Sequence, residues 1–561
     1  MKKRIIYLFI TVCVADSTFS QQIDLNDTKS KFSKSDLLKL TGGFSASSVF
    51  YRGNEAYTRD PLTYYLTGNI NFNILGLINL PFTFNFTNSG ANYTYPTMPN
   101  RLSIHPAYKF LTGHFGDISM SFSPYTLNGH QFTGAGLDVN LDKPLKFSVM
   151  YGRLQRGVEF GSGNNQVQAA YKRMGAGFNV RYEKTKYRIA LSLFSAKDDK
   201  NSLMWKPDSL MIYPQQNIAG SITVGFNLLE NMQLTIEYGL SRFDRDVRIA
   251  GIENKTAEYH ALKTGLNYTF MNNTIGIGYE RIDPDYKTLG AYYFNNDLEN
   301  ITLNYARPFF GNKANIAMSG GIQHDDLKNE KESKTNRFVF SADANYAPTD
   351  KLSFSGSYTT FQTHINMRSQ FDYINELTPY DNLDTLNYTQ LSQNVNLSTN
   401  YMFGNSDAAK HLLNLMLSYQ EAADKQGDII PEGFATLFYN ASLAYGLQLA
   451  PQNLNFNLSM NFTSNKMEGQ NMYIIGPTAG ITSLLFDKKL NTVLSVSYNR
   501  SYLAGTMQNE VWNLRFGSSY ILMKKHNLSL SAVYRNNSVL KDAAVARTNG
   551  LTITTAYNYR F

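Results

Sequence analysis

The stretch Asn453–Thr463 reads N-L-N-F-N-L-S-M-N-F-T. Leu454, Phe456, Leu458, Met460 and Phe462 are apolar, and every residue between them is Asn, Ser or Thr. Strict alternation marks a β-strand with two unlike faces, because successive strand side chains point to opposite sides. On a helix the same apolar residues would be spread around the circumference. A strand of a soluble sandwich can alternate too, but its polar face meets bulk water, where Lys and Glu are common. A face of Asn, Ser and Thr leaves the choice to the rest of the chain.

The pattern recurs. Leu62, Tyr64, Leu66, Ile70, Phe72 and Ile74 alternate with Thr, Tyr and Asn, and Leu80, Phe82, Phe84 and Phe86 alternate with Pro, Thr and Asn. Segments starting near Leu490 and Leu528 repeat it. Each is about ten residues long, the length a tilted strand needs to cross a bilayer, with aromatics near the ends. The connections are of two kinds. Tight ones such as Asp142-Lys-Pro144, Asn272-Asn273, Gly311-Asn312, Pro348-Thr-Asp350, Asp487-Lys-Lys489 and Lys524-Lys-His526 alternate with longer polar ones at 89–99, 157–167, 199–215, 244–256, 285–297, 324–334 and 363–387. Short turns on one side and long loops on the other are the asymmetry of a membrane barrel.

Composition agrees. Only 17% of the 561 residues are charged, Tyr, Phe and Gly are abundant throughout, and no linker divides the chain, which favours one large unit. The start, M-K-K-R-I-I-Y-L-F-I-T-V-C-V-A, has a basic n-region (Lys2, Lys3, Arg4) and a short apolar h-region. Thr18 and Ser20 are small residues at −3 and −1 of a cleavage site before Gln21, so residues 1–20 read as a secretory signal peptide. The single cysteine, Cys13, lies in the h-region, which leaves residues 21–561 without thiol chemistry, disulfides or Cys-based metal sites. The net charge of +8 is mild, and no basic cluster points to nucleic acid. No apolar run is long enough for a transmembrane helix.

The chain ends L-T-I-T-T-A-Y-N-Y-R-F, with Tyr557, Tyr559 and Phe561 on one face. This ending resembles the insertion signal of Gram-negative outer-membrane β-barrel proteins. At the level of architecture the resemblance covers residues 37–561, and it is to large porin-like or transporter-like barrels without a plug domain. It implies lipid and lipopolysaccharide as surroundings and the barrel insertion machinery as a partner.

The expected fold is all-β: a single transmembrane antiparallel β-barrel of about 26 strands (24 also fits) over 37–561, after a short periplasmic segment at 21–36. The Leu/Phe/Met face meets lipid and the Asn/Ser/Thr face lines a wet interior. Unpaired backbone groups are not tolerated in hydrocarbon, so the sheet must close.

Sequence motifs for chemistry are lacking. Eight histidines are scattered without metal spacing, and there is no G-x-S-x-G elbow or P-loop, so no catalytic, metal or cofactor residue is assigned and no enzyme is expected. Only about 16 residues separate the cleavage site from the first strand, too few for the plug of a TonB-dependent receptor. One hairpin stands apart: Pro124-Tyr-Thr-Leu-Asn-Gly129 is an unusually tight outer connection. Alternation there places Asp117, Gly134, Gly136 and Asp138 inward, with Lys146 on the next strand, as a candidate lumen site; glycines in a strand often allow a close approach. The long connection 363–387, rich in aromatics and acids, is the expected constriction.

Two functions follow. A barrel wider than 16–18 strands leaks unless something fills it. A lumen narrowed by its own loops is a channel or transporter for hydrophilic solutes or an exported polymer. A lumen filled by an outer-membrane or periplasmic protein partner makes the chain a subunit of a secretion, uptake or assembly complex.

Overall fold

The computed structural model describes residues 37–54, 60–89, 100–141, 144–159, 169–204, 211–248, 257–329, 336–362, 365–367, 386–388, 391–405, 408–423, 435–467, 470–541 and 544–561. The expected signal peptide and the segment 21–36 lie outside the described residues. So does the expected constriction 363–387, apart from a short pairing of Ile365–Met367 with Leu386–Tyr388.

Every neighbouring pair of strands is antiparallel, and the sheet closes on itself where the first strand, Leu38–Gly53, pairs with the last, Ala544–Arg560, from Gly43 opposite Arg560 to Gly53 opposite Gly550. The barrel has 26 strands. One of them is interrupted: Arg101–Ile104 and Ala107–Tyr108 sit in line between the same two neighbours. The break falls at His105-Pro106, where proline has no N–H to give to the ladder.

The opening stretch lies in the strand Leu454–Met467. Phe456, Leu458, Met460 and Phe462 are exposed on the outside of the barrel, while Asn461 and Thr463 are buried on the inside. Inward residues of neighbouring strands form a ladder. Ser442 Oγ donates to Asn461 Oδ1 (2.8 Å), Thr463 Oγ1 to Asn440 Oδ1 (2.8 Å), Asn440 Nδ2 to Ser418 Oγ (3.0 Å), and further round Asn513 Nδ2 to Ser497 Oγ (3.1 Å). Small amides and hydroxyls bond to one another across strands, and Arg515 and Arg535 share this inward face beside Asn513.

Twelve connections at one end of the barrel are two to four residues long, whereas at the other end they reach 28 residues, at 363–390. Both described termini lie at the short-turn end. There Phe561 N donates to Gly42 O (2.9 Å), and the ring of Phe44 packs between Tyr557 and Tyr559 (centroids 5.9 and 5.7 Å). The parity of loop lengths lapses only near the C-terminus, where 468–469, 504–505 and 542–543 are tight connections at the long-loop end.

Candidate functional site

The inner wall is not polar all the way round. The strands from Leu111–Ser121 to Leu298–Phe309 turn Ile118, Phe132, Met150, Phe194, Phe243 and Ile282 inward, and all six are buried. They would be misplaced against water. They pack instead on two segments of the long-loop end that fold into the lumen: the hairpin tip 122–127 and the connection 283–297. Tyr125, Thr126 and Leu127 are at most 1% exposed, and Tyr286 is fully buried.

The tip is a compact turn. Phe122 N donates to Leu127 O (2.8 Å), Thr126 N to Ser123 O (3.1 Å) and Tyr125 N to Ser123 Oγ (3.1 Å). Its backbone is bonded to the second segment: Tyr286 O–H donates to Tyr125 O (2.9 Å) and Thr288 Oγ1 to Thr126 O (2.6 Å), while Asn128 N, at the end of the tip, donates to Gly290 O (2.8 Å). Rings complete the fit. Phe294 stacks on Tyr286 (4.9 Å), Tyr292 stacks on His130 (4.2 Å), and Tyr125 meets Tyr286 edge-on (6.0 Å). Together the two segments form a stopper with its own apolar core, inside the barrel and against one side of it.

Polar side chains of the wall bind the stopper. Asn217 is fully buried: its Nδ2 donates to Lys287 O (3.3 Å) and its Oδ1 accepts from Leu289 N (3.2 Å), while Ser241 Oγ also donates to Lys287 O (2.5 Å). At the tip, Ser123 O–H donates to the Glu237 carboxylate and Tyr125 O–H to Glu280 Oε1 (2.9 Å). Glu237 and Glu280 flank Lys263 in the register, and Lys263 Nζ lies 3.4 Å from Glu280. Burial, and for Tyr125 also Glu280, holds both stopper phenols well above their ordinary range, so they remain donors. Burial also lowers the Lys287 amine, with Arg173 adding to the effect.

Two glycines make the close fit possible. A Cβ on Gly290 would stand 2.6 Å from Thr126 O and 2.9 Å from Leu127 Cα. A Cβ on Gly239, on the wall, would stand 2.8 Å from Tyr125 Cβ.

The expected lumen residues are brought together only in part. Gly134, Gly136, Asp138 and Lys146 share the inward face with Phe132 and Met150. Gly136 leaves room for Met120, whose Sδ would be 2.5 Å from an added Cβ. Asp138 Oδ2 accepts from His114 Nε2 (2.9 Å), and His114 Nδ1 lies 2.8 Å from His105 Nδ1; Lys146 instead pairs with Glu183 (2.7 Å). Asp117 is a correction. It stands opposite Thr133, one residue out of step with Ile118 and Phe132, and accepts from Thr133 Oγ1 (2.6 Å) and Leu102 N (3.1 Å) on the outward face. The reason is the stopper: Ile118 and Met120 are the apolar face here, yet they point inward to cover it. Among the described residues no group of three His, Cys, Asp or Glu could hold a metal ion.

Alternation alone missed Tyr125, Tyr286, Glu237 and Glu280. A signal was present in Tyr187–Asp198, where Leu193 and Phe194 are consecutive apolar residues on opposite faces. A strand apolar on both faces has something apolar on both sides.

No family model matches the chain, and no curated protein matches it. Among solved structures it is similar to the P pilus usher (PapC) translocation pore, with a TM-score of 0.40 and 12% identity over 94% of this chain and 100% of that one. It is also similar to the ferric yersiniabactin uptake receptor FyuA from Yersinia pestis (0.39, 10%, covering 93% and 80%) and to OccAB3 from Acinetobacter baumannii (0.31, 10%, covering 93% and 99%). At scores this low the likenesses assign neither family nor substrate.

Proposed function

We propose that the chain is a transport barrel of the Gram-negative outer membrane, closed by a stopper of its own polypeptide, and that it passes hydrophilic solutes or an exported polymer. Residues 1–20 direct export, 21–36 lie in the periplasm, and the long loops face outward. The reading rests above all on the apolar core inside the lumen. A barrel of this width leaves an aqueous passage unless it is filled. Tyr125, Leu127, Tyr286 and Leu289 fill one side of it, while the Asn/Ser/Thr ladder from Ser418 to Asn513 faces the remainder. Amides and hydroxyls, with Arg515 and Arg535 on the same face, suit hydrated solutes.

Planar-bilayer conductance tests the proposal. The native protein should conduct little, and Tyr125→Ala with Tyr286→Ala should give a large, lasting conductance. Silence in both forms, with a stoichiometric protein co-purifying, would favour a complex subunit occluded by that partner.

A further inference from the structure

We infer that the short-turn rim of the barrel is a binding surface for anionic phospholipid headgroups; this rests on the membrane placement proposed above. Charge is sorted between the two ends. The twelve short connections contain ten lysines and five acids, whereas the thirteen connections at the other end contain 14 Lys or Arg and 23 acids.

The lysines lie beside an outward aromatic girdle. Lys109 Nζ is 5.2 Å from the centre of the Tyr108 ring and Lys184 Nζ is 5.7 Å from that of Tyr182; Arg307 lies 4.8 Å from the Phe309 ring at the same end. A cation held on a ring at the edge of an apolar belt sits at the depth of the lipid phosphates.

A second feature repeats around the rim. Ile74, Phe270, Phe309, Leu485 and Leu522 end their strands, and the next residue is each time large and apolar: Leu75, Met271, Phe310, Phe486 and Met523. All five have left-handed backbone, with φ between 44° and 55°, where Gly or Asn is the usual occupant. All five are exposed, from 39% at Leu75 to 91% at Met271. In water such a tip is unfavourable twice, in backbone and in side chain. At an acyl boundary the exposed side chain is no longer a cost. Phe310 shows where the tips lie: its ring is 6.1 Å from that of outward-facing Tyr346. Lys313 follows Phe310 by three residues, Lys488 and Lys489 follow Phe486, and Lys524 and Lys525 follow Met523, so apolar anchor and cation share one depth.

A leaflet matches this arrangement better than a protein does. The anchors and cations are distributed round the circumference from Leu75 to Lys525 on connections between successive strands, whereas a protein partner needs one contiguous patch. The cations match phosphate, and the apolar tips match acyl chains.

The test uses the full chain in nanodiscs of phosphatidylglycerol and phosphatidylethanolamine in equal parts, followed by release into detergent and native mass spectrometry of the lipids retained. The native protein should retain phosphatidylglycerol at least five-fold over phosphatidylethanolamine. A variant with Lys109, Lys184, Lys488, Lys489, Lys524 and Lys525 all changed to Gln should insert normally and lose that preference. A variant carrying Met271→Ser, Phe310→Ser, Phe486→Ser and Met523→Ser should retain less of both lipids. Equal retention of the two lipids by the native protein, or an unchanged preference in the lysine variant, would overturn the inference. Failure of the native chain to enter nanodiscs would instead overturn the membrane placement.

Discussion

The phenol of Tyr125 and the carboxylate of Glu280 meet at 2.9 Å although 155 positions separate them in the chain. One belongs to a hairpin tip and the other to the wall strand Asn273–Ile282 on the side where the stopper packs, so this bond reports directly on whether the tip is seated.

Tyr125→Phe keeps the ring and removes that bond. Breaking a hydrogen bond to a charged group costs about 1.5–3 kcal/mol. If that cost falls on the closed state, the ratio of open to closed channels rises roughly 10- to 150-fold. Single-channel recording measures the ratio. An unchanged open fraction would mean that the bond does not hold the stopper.

Gly290→Ala should also open the lumen, because the added methyl meets the backbone at Thr126 and Leu127, which cannot rotate away. Gly265→Ala is the control, since its Cβ would meet nothing closer than Ile277 O at 4.0 Å. Hydrogen exchange at 122–127 should speed up in the first variant and not in the second.

The pH response follows from the two phenols. Both are raised above the ordinary 10.0, so the stability they give the closed state is fully present below pH 10 and is lost only as pH rises through their higher values. Conductance of the native protein should therefore stay low from pH 7 to pH 10. Opening between pH 8 and 9 would show that these rings are not buried.

Asn440→Asp, made together with Tyr125→Ala, places a carboxylate in the polar ladder, where Asn440 pairs with Ser418 and Thr463. The reversal potential in a salt gradient should move toward cation preference relative to Tyr125→Ala alone. No movement would place the conducting path away from this wall.

At the seam, replacing Tyr557, Tyr559 and Phe561 with Ala should reduce the amount of barrel in the membrane fraction. Phe44→Ala removes the ring that packs on both tyrosines and leaves the ending intact. If the two variants fall equally, seam packing rather than recognition of the ending is responsible.

The barrel was legible in the sequence wherever a single rule governed a strand. In Leu454–Met467 the outer face is large and apolar and the inner face small and polar, and the alternation reports both. From Leu111 to Phe309 two rules overlap. Phe194 and Phe132 face inward because a stopper covers them, while Leu193 and Leu137 belong to the exposed apolar outer face of the barrel, and sequence pattern does not distinguish the two settings. That overlap is why alternation alone places Asp117 inward, whereas its register with Thr133 puts it on the outward face. The tight hairpin at Pro124–Gly129 could be noticed from its turn residues. Its partner, the connection 283–297, could be seen only as one long loop among several, because the contact joining them spans more than 150 positions.

Each part of the stopper is tied to the wall by chain at both ends: 122–127 to Ser121 and Asn128, and 283–297 to Ile282 and Leu298. Six residues extend to roughly 20 Å at most, so the tip can swing but cannot leave. In the proposed channel, what opens is a crescent between a tethered tip and the polar wall. The largest solute admitted is then set by the reach of two loops rather than by barrel diameter, and lengthening 122–127 with glycines should raise the size limit while the barrel itself stays the same.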